Sequence, residues 1–225
     1  MSKIQSFLAE QTIFSCLDEA QKVSLLRDGI LRSYPKGTFV VQMGDVWPYL
    51  FIVMSGSVNA VKESNEGRSL TVATFDSGDI FWGLAFFDED TPMPVTLETI
   101  KETSLFVWPR ERILPMILQN GQFSWELSRL MVRRMQRASA IVDELAFQPV
   151  TGRVARLLLE QFPASQNVVP RHLTLDEMAS RVGTTREMVC RILYRFAEAG
   201  AIQINRTEFV FTDRGILDEF SRNTG

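Results

Sequence analysis

The feature that most restricts the fold is a run of short β-forming segments between Tyr34 and Trp108, each closed by a turn. "TFVVQM", "YLFIVM", "SVNAVKES", "LTVATF", "TLETI" and "SLFVW" alternate with turn signals at Gly37, Gly44, Gly56, Asn65–Gly67 and Ser77–Asp79. Many short strands separated by glycine turns predict a sandwich or jelly roll. "NEG" at 65–67 reads as a hairpin tip. Ahead of the strands, "SFLAEQ" and "DEAQKVSLLRDGIL" read as short helices, the second capped by Asp18.

The texture changes after the strands. From about Gln122 to Phe147, apolar Phe123, Leu127, Leu130, Met131, Met135, Ala138, Ile141, Val142 and Leu145 recur at helical spacing. Steps of three and four over several turns make a continuous stripe, with Arg129, Arg133, Arg137 and Asp143 opposite. A helix this long after a β-domain lies across its own core or pairs with a copy of itself. Pro149 in "FQPVTG" ends it and opens a separate domain. The stripe is then left without an evident intrachain partner, so its nine apolar residues are the expected dimer interface. The fold class is α+β: residues 1–118 read as a β-sandwich or jelly roll with N-terminal helices, 119–147 as a dimerisation helix, and 148–225 as a winged helix-turn-helix.

That last assignment rests on "LTLDEMASRV" followed by "RVGTTREMVCRILYRF". Two short helices joined by a tight glycine turn form a helix-turn-helix, with small Ala179 at the crossing and Gly183 in the turn. In the second helix Val189, Ile192, Leu193 and Phe196 make the core stripe. Thr185, Arg186, Glu187, Cys190, Arg191 and Tyr194 face away. Arginine pairs with the two major-groove acceptors of guanine and glutamate accepts from the cytosine amino group. The bland alternative is a Thr184-x-x-Glu187 capping box and a Glu187–Arg191 pair on a solvated face. The spacing, with "AIQINRTEFVFTD" following as a hairpin wing, favours double-stranded DNA, and Thr185, Arg186, Glu187, Cys190 and Arg191 are the expected contacts.

Charge agrees once it is divided along the chain. The net charge is -3, yet the second half, from residue 119, holds 14 Lys+Arg against 12 Asp+Glu, and all 14 are arginine. No signal peptide, membrane span or disulfide framework is evident, and the two cysteines are Cys16 and Cys190, so a cytoplasmic, non-membrane protein is expected. With one histidine, no glycine-rich phosphate loop, no HExxH and no Ser/His/Asp constellation, no catalytic residue and no metal site are assigned.

At this point the residues match a family. "LSRLMVRRMQRASAIVDELAF" with "VTGRVARLLLEQF" resembles the catabolite-activator branch of the CRP/FNR regulators. "KGTFVVQMGD", "FIVMSGSVNAV", "GRSLTVATFDSGDIFWGLAFF" and "TTREMVCRIL" fall in that family's order. The resemblance spans about residues 13–213. It implies a cyclic-nucleotide-binding-like domain, a homodimer, a palindromic operator and contact with RNA polymerase through "PASQNVVPRH". The family's Arg-Glu-x-x-x-Arg base readers fall on Arg186, Glu187 and Arg191, implying a half-site related to TGTGA.

The effector cassette departs from the family. Where cyclic-AMP-binding members carry Gly-Glu-Leu and then Arg-Ser-Ala, this chain has Leu84 and the stretch Pro94–Thr96, with no arginine between Arg68 and Arg110. Lys101 is nearby but wrongly placed, and the adenine-contacting Thr-Ser pair reads Ala138–Ser139. A buried phosphate without a cation is costly. The reading is therefore against cyclic AMP, against an iron–sulfur cluster, which needs more cysteines, and against haem, since His172 lies beside the helix-turn-helix. The effector is unknown. Phe81, Trp82, Gly83, Leu84, Phe86, Phe87 and Ser139 are its pocket candidates, or side chains fill the pocket and no effector is needed. Two alternatives stay open: a cyclic-nucleotide-dependent regulator with a rearranged pocket, and a sensor acting through a protein partner.

Overall fold

The computed structural model describes residues 3–64, 67–162 and 164–222, so Asn65 and Glu66 of the expected hairpin tip lie outside the described residues. The chain divides into two units, Met1–Lys62 with Ala73–Arg137, and Glu63–Val72 with Ala138–Gly225.

The first unit begins with α1 (Lys3–Ala9), a 3-10 turn at Thr12–Phe14 and α2 (Glu19–Asp28). Asp18 caps α2 as expected: its carboxylate accepts from the Gln21 amide at 2.8 Å, and the Gln21 side chain accepts from the Asp18 amide at 3.1 Å. The helix stops at Asp28, short of the expected Leu31. Ile30–Tyr34 is a strand instead, β1, because it pairs residue for residue with Thr103–Val107.

The other strands are β2 (Phe39–Val41), β3 (Tyr49–Ser55), β4 (Ser57–Glu63), β5 (Ser69–Asp76), β6 (Ile80–Trp82), β7 (Thr96–Thr99) and β8 (Thr103–Pro109). They form two four-stranded sheets, in the orders β1-β8-β3-β6 and β2-β7-β4-β5, which is the expected β jelly roll. Two short strands, β1 and β6, carried too little pattern to be seen in sequence.

Central β3 is covered on both faces: Leu50, Phe51, Ile52 and Val53 are each 0% exposed. Leu50 and Ile52 join Ile80, Phe106 and Trp108 in a core completed by the helices. There the Trp108 indole N–H donates to the Leu25 carbonyl at 2.8 Å.

Two helices follow, α3 (Arg110–Gln119) and α4 (Gly121–Phe147). Phe123 and Leu127 of α4 are buried in this same core, and Phe123 stands edge-on to Phe14 at 5.8 Å. This corrects the expected dimer stripe. Its first turns have an intrachain partner, which periodicity alone does not show because the N-terminal residues Leu8, Phe14, Leu17 and Leu25 come from a distant part of the chain. Leu130 and Met131 are half-buried and Ile141 partly so, whereas Met135, Ala138, Val142 and Leu145 are exposed.

The second unit contains α5 (Val150–Gln161), β9 (Val168–Pro170), α6 (Leu175–Val182), α7 (Arg186–Glu198), β10 (Ile202–Ile204), β11 (Glu208–Phe211) and α8 (Arg214–Arg222). The expected two-stranded wing has a third strand, in the order β10-β11-β9. The sequence reading left β9 in a loop, but burying Val169 beside Phe209 recruits it to the sheet. Arg153 is buried, and its Nη1 donates to the carbonyls of Glu144, Leu145 and Gln148 at 3.4, 3.3 and 3.0 Å. It thereby ties down the end of α4 and the residue after it, adding to the Gln148 amide that already donates to the Glu144 carbonyl at 3.0 Å. Burial pushes its guanidinium below the ordinary value, and Glu144 opposes that.

Candidate functional site

The helix-turn-helix is built by local rules. Thr174 and Glu177 form a reciprocal capping box that starts α6: the Glu177 amide donates to Thr174 Oγ1 at 3.1 Å, and the Thr174 amide donates to Glu177 Oε2 at 2.7 Å. Gly183 ends the helix with φ +66°, a left-handed conformation that side chains resist. A Cβ there would also stand 2.9 Å from Leu145 Cδ2. The chain then turns into α7, whose N-cap is Thr185, with its hydroxyl accepting from the Met188 amide at 3.3 Å. The capping box considered from sequence, Thr184 with Glu187, therefore does not form. Thr185 takes the cap, and Glu187 lies one position too early to reach back from N3.

Four residues hold α7 down: Val189, Ile192, Leu193 and Phe196 are 0%, 4%, 2% and 0% exposed, following the stripe expected from sequence. The other side of the helix carries Arg186, Glu187, Cys190, Arg191 and Tyr194, which with Leu175 of α6 line a shallow concavity of about 400 Å³. Arg186 lies 3.6 Å from Asp176, with both side chains more than half exposed. Such a pair is worth at most about 1 kcal/mol, whereas a bidentate guanine contact is worth about 1–3 kcal/mol, so a base competes successfully for Arg186. The Glu187 carboxyl is held below the usual carboxylate range by its own backbone N–H and the Thr185 hydroxyl, with Arg186 adding to the effect. It stays an acceptor.

Four of the cassette candidates form a chain of ring contacts: Phe81 stacks on Trp82 at 5.9 Å, Trp82 meets Phe87 at 5.8 Å, and Phe87 meets Phe86 at 4.9 Å. Strand alternation on β6 sends Ile80 and Trp82 toward the helical core, together with fully buried Phe86. Phe81 turns the other way, 4.5 Å from the Phe75 ring and 5.6 Å from Phe51. Gly83 lies so close to the Trp47 carbonyl that a Cβ would fall 1.7 Å from its oxygen. Leu84 and Phe87 are 38% and 40% exposed at the 3-10 turn Leu84–Phe86, although the Phe87 ring still packs against Trp82 and Phe86. Ser139 is exposed on α4.

One sensor residue was missed altogether. Arg134 of α4 places its guanidinium 4.7 Å from the centre of the Phe75 ring. Its Nη2 lies 3.3 Å from both Asp79 Oδ1 and the Ile80 carbonyl. Its Nε is buried with no hydrogen-bond partner. The sequence search for a cation stopped at the cassette, so an arginine from α4 escaped it. The only signal available was its position within the long helix.

Comparison with known proteins agrees with both halves. Residues 31–120 match the cyclic nucleotide-binding domain family, and residues 152–220 match the Crp-like helix-turn-helix domain. The chain is 28% identical over 194 residues to the Cyclic AMP receptor protein of Thermus thermophilus, covering 84% of this chain and 87% of that one. It is 30% identical over 172 residues to the cAMP-activated global transcriptional regulator CRP of Salmonella typhimurium, covering 72% and 80%. A solved structure of a putative transcriptional regulator of the crp/fnr family from Eubacterium rectale superposes with a TM-score of 0.79 at 24% identity, covering 94% and 98%. With a jelly roll, a long helix and a winged helix-turn-helix in this order, the chain belongs to the CRP/FNR family of transcriptional regulators, a family of DNA-binding proteins rather than enzymes.

Proposed function

We propose that this regulator acts as a homodimer that reads an inverted repeat of TGTGA-like half-sites, under a control other than cyclic AMP. The observation that carries the reading is the α7 face, where Arg186, Glu187 and Arg191 project from a fully buried stripe. The two arginines read guanines and Glu187 accepts from a cytosine amino group, while Thr185 and Cys190 border them. The half-sites of such a dimer lie about 34 Å apart, one helical turn.

Dimerisation is supported by a second face of α4. Trp125, Ser128, Val132, Met135, Ser139, Val142 and Ala146 follow one another in alternating steps of three and four, the coiled-coil spacing. Trp125, Val132, Met135 and Val142 on this face are 61%, 48%, 66% and 63% exposed. Met135 and Val142 belong to the stripe read from sequence, whereas Trp125 and Val132 extend it along a different line from buried Phe123 and Leu127.

Selection from a random DNA library tests the reading. A GTGA-like inverted repeat is expected, and enrichment of unrelated or unpaired sites would refute it.

Control by something other than cyclic AMP is supported by Leu84 and Pro94–Thr96, where the family's glutamate and arginine stand, and by Arg134, already engaged by Asp79. One observation favours a second reading, cyclic-nucleotide control through a rearranged pocket. The partnerless Nε of Arg134 is a spare donor beside an aromatic ring. Titration calorimetry with cyclic AMP separates the two. No heat supports the first reading, and saturable heat that disappears in Arg134→Ala supports the second. Contact with RNA polymerase through the 163–172 segment belongs to the same proposal.

A further inference from the structure

We infer that the far end of the α7 face is an apolar notch for the C5-methyl group of thymine, formed by Tyr194 of α7 and Leu175 of α6. The inference rests on the proposed reading of DNA by this face. It adds a base that the two arginines and the glutamate do not read.

Tyr194 follows Arg191 by three positions and Glu187 by seven, so all three share one helix face. The Tyr194 ring is 62% exposed, because Leu193 and Phe196 on either side carry the packing. Leu175, the first residue of α6, is half-buried, and it lines the same concavity as Arg186, Glu187, Cys190, Arg191 and Tyr194. An apolar leucine edge and an aromatic ring thus continue a surface whose other end is charged. In the major groove thymine is the one base that offers a methyl group, and apolar side chains read it by contact. The methyl group offers a charged side chain nothing to bond, so the notch selects a thymine by apolar contact beside the bases read by Arg186, Glu187 and Arg191. A rival role is a phosphate contact from the Tyr194 hydroxyl, which would carry no sequence information.

Full-length protein and its selected palindrome provide the test. Each thymine is replaced in turn by deoxyuridine in both half-sites, removing the methyl and keeping the base pair. One position per half-site is expected to weaken binding about sixteenfold, about fourfold for the methyl group lost from each of the two half-sites, while the others are tolerated. Tyr194→Ala should abolish that penalty and Tyr194→Phe should keep it. Tolerance of deoxyuridine at every position overturns the inference. So does a penalty that persists in Tyr194→Ala, or one that vanishes in Tyr194→Phe. If the unmodified palindrome is not preferred over scrambled DNA, the reading of DNA by this face fails, and the notch fails with it.

Discussion

The α7 face and the interior around β6 hold similar chemistry in opposite states. On α7 the arginines and the glutamate stand outward from a buried stripe, and the one ion pair among them, Arg186–Asp176, is exposed and weak. In the sensor unit Arg134 is drawn inward over Phe75 and held by Asp79 and the Ile80 carbonyl. An arginine kept in water is available to a partner, whereas one already satisfied inside must be released first. That difference separates a surface open to a partner from an interior already satisfied.

The largest expected effect lies on the outward side. Arg186→Ala with Arg191→Ala removes two bidentate base contacts, each worth about 1–3 kcal/mol. The proposed dimer carries the pair in both chains, four contacts in all, so discrimination between the selected palindrome and scrambled DNA should fall at least about a thousandfold, with thermal stability unchanged because both side chains are exposed. Competition binding beside a melting curve checks both halves of that statement.

Arg134→Ala should behave in the opposite way. It removes one donor from Asp79, which still accepts from the Asp76 amide, and one from the Ile80 carbonyl, together with the contact over Phe75, at a cost of about 1 kcal/mol in stability. The ranking of DNA sequences should stay as it was. A variant that instead keeps its melting temperature and changes its preferred sequence would erase the contrast.

A comparable effect is expected in the turn itself. Gly183→Ala forces an L side chain into a left-handed conformation and toward Leu145, costing about 1–2 kcal/mol in chemical denaturation. The smallest is the response to pH. The folded-state pKa of Glu187 lies below its ordinary value, so its contribution is present above that ordinary value and is lost only as pH falls through the lowered one. Sequence selectivity should therefore hold from neutral pH down to about pH 5, above the usual glutamate range, in anisotropy titrations.

The two regions also differed in how far the sequence could be read. Everything that makes α7 a reading helix lies within fifteen residues and repeats at one period, so Val189, Ile192, Leu193 and Phe196 could be told from Arg186, Glu187 and Arg191 without coordinates. The sensor interior gathers Phe51, Phe75, Phe81 and Arg134 from β3, β5, β6 and α4. No local pattern announces that meeting, and the six cassette candidates therefore divided between opposite faces and solvent. The same reasoning applies to α4. Periodicity showed that the helix is amphipathic, but not that Phe123 and Leu127 belong to the core of their own unit. The short strands β1, β6 and β9 were missed because pairing with distant segments, rather than their own composition, defines them.

The most direct measurement combines stoichiometry and affinity on the selected palindrome. Sedimentation of the complex is run beside binding to a duplex with one half-site scrambled, for the natural chain and for Val132→Glu/Met135→Glu, whose changes fall on exposed residues of α4. A dimer reading through α7 predicts two chains per duplex and a loss of at least about thirtyfold when one half-site is scrambled, since two guanine contacts disappear with it. The α4 variant should be folded, monomeric and indifferent to the second half-site. One chain bound per duplex, with full affinity for the half-scrambled site, would contradict it.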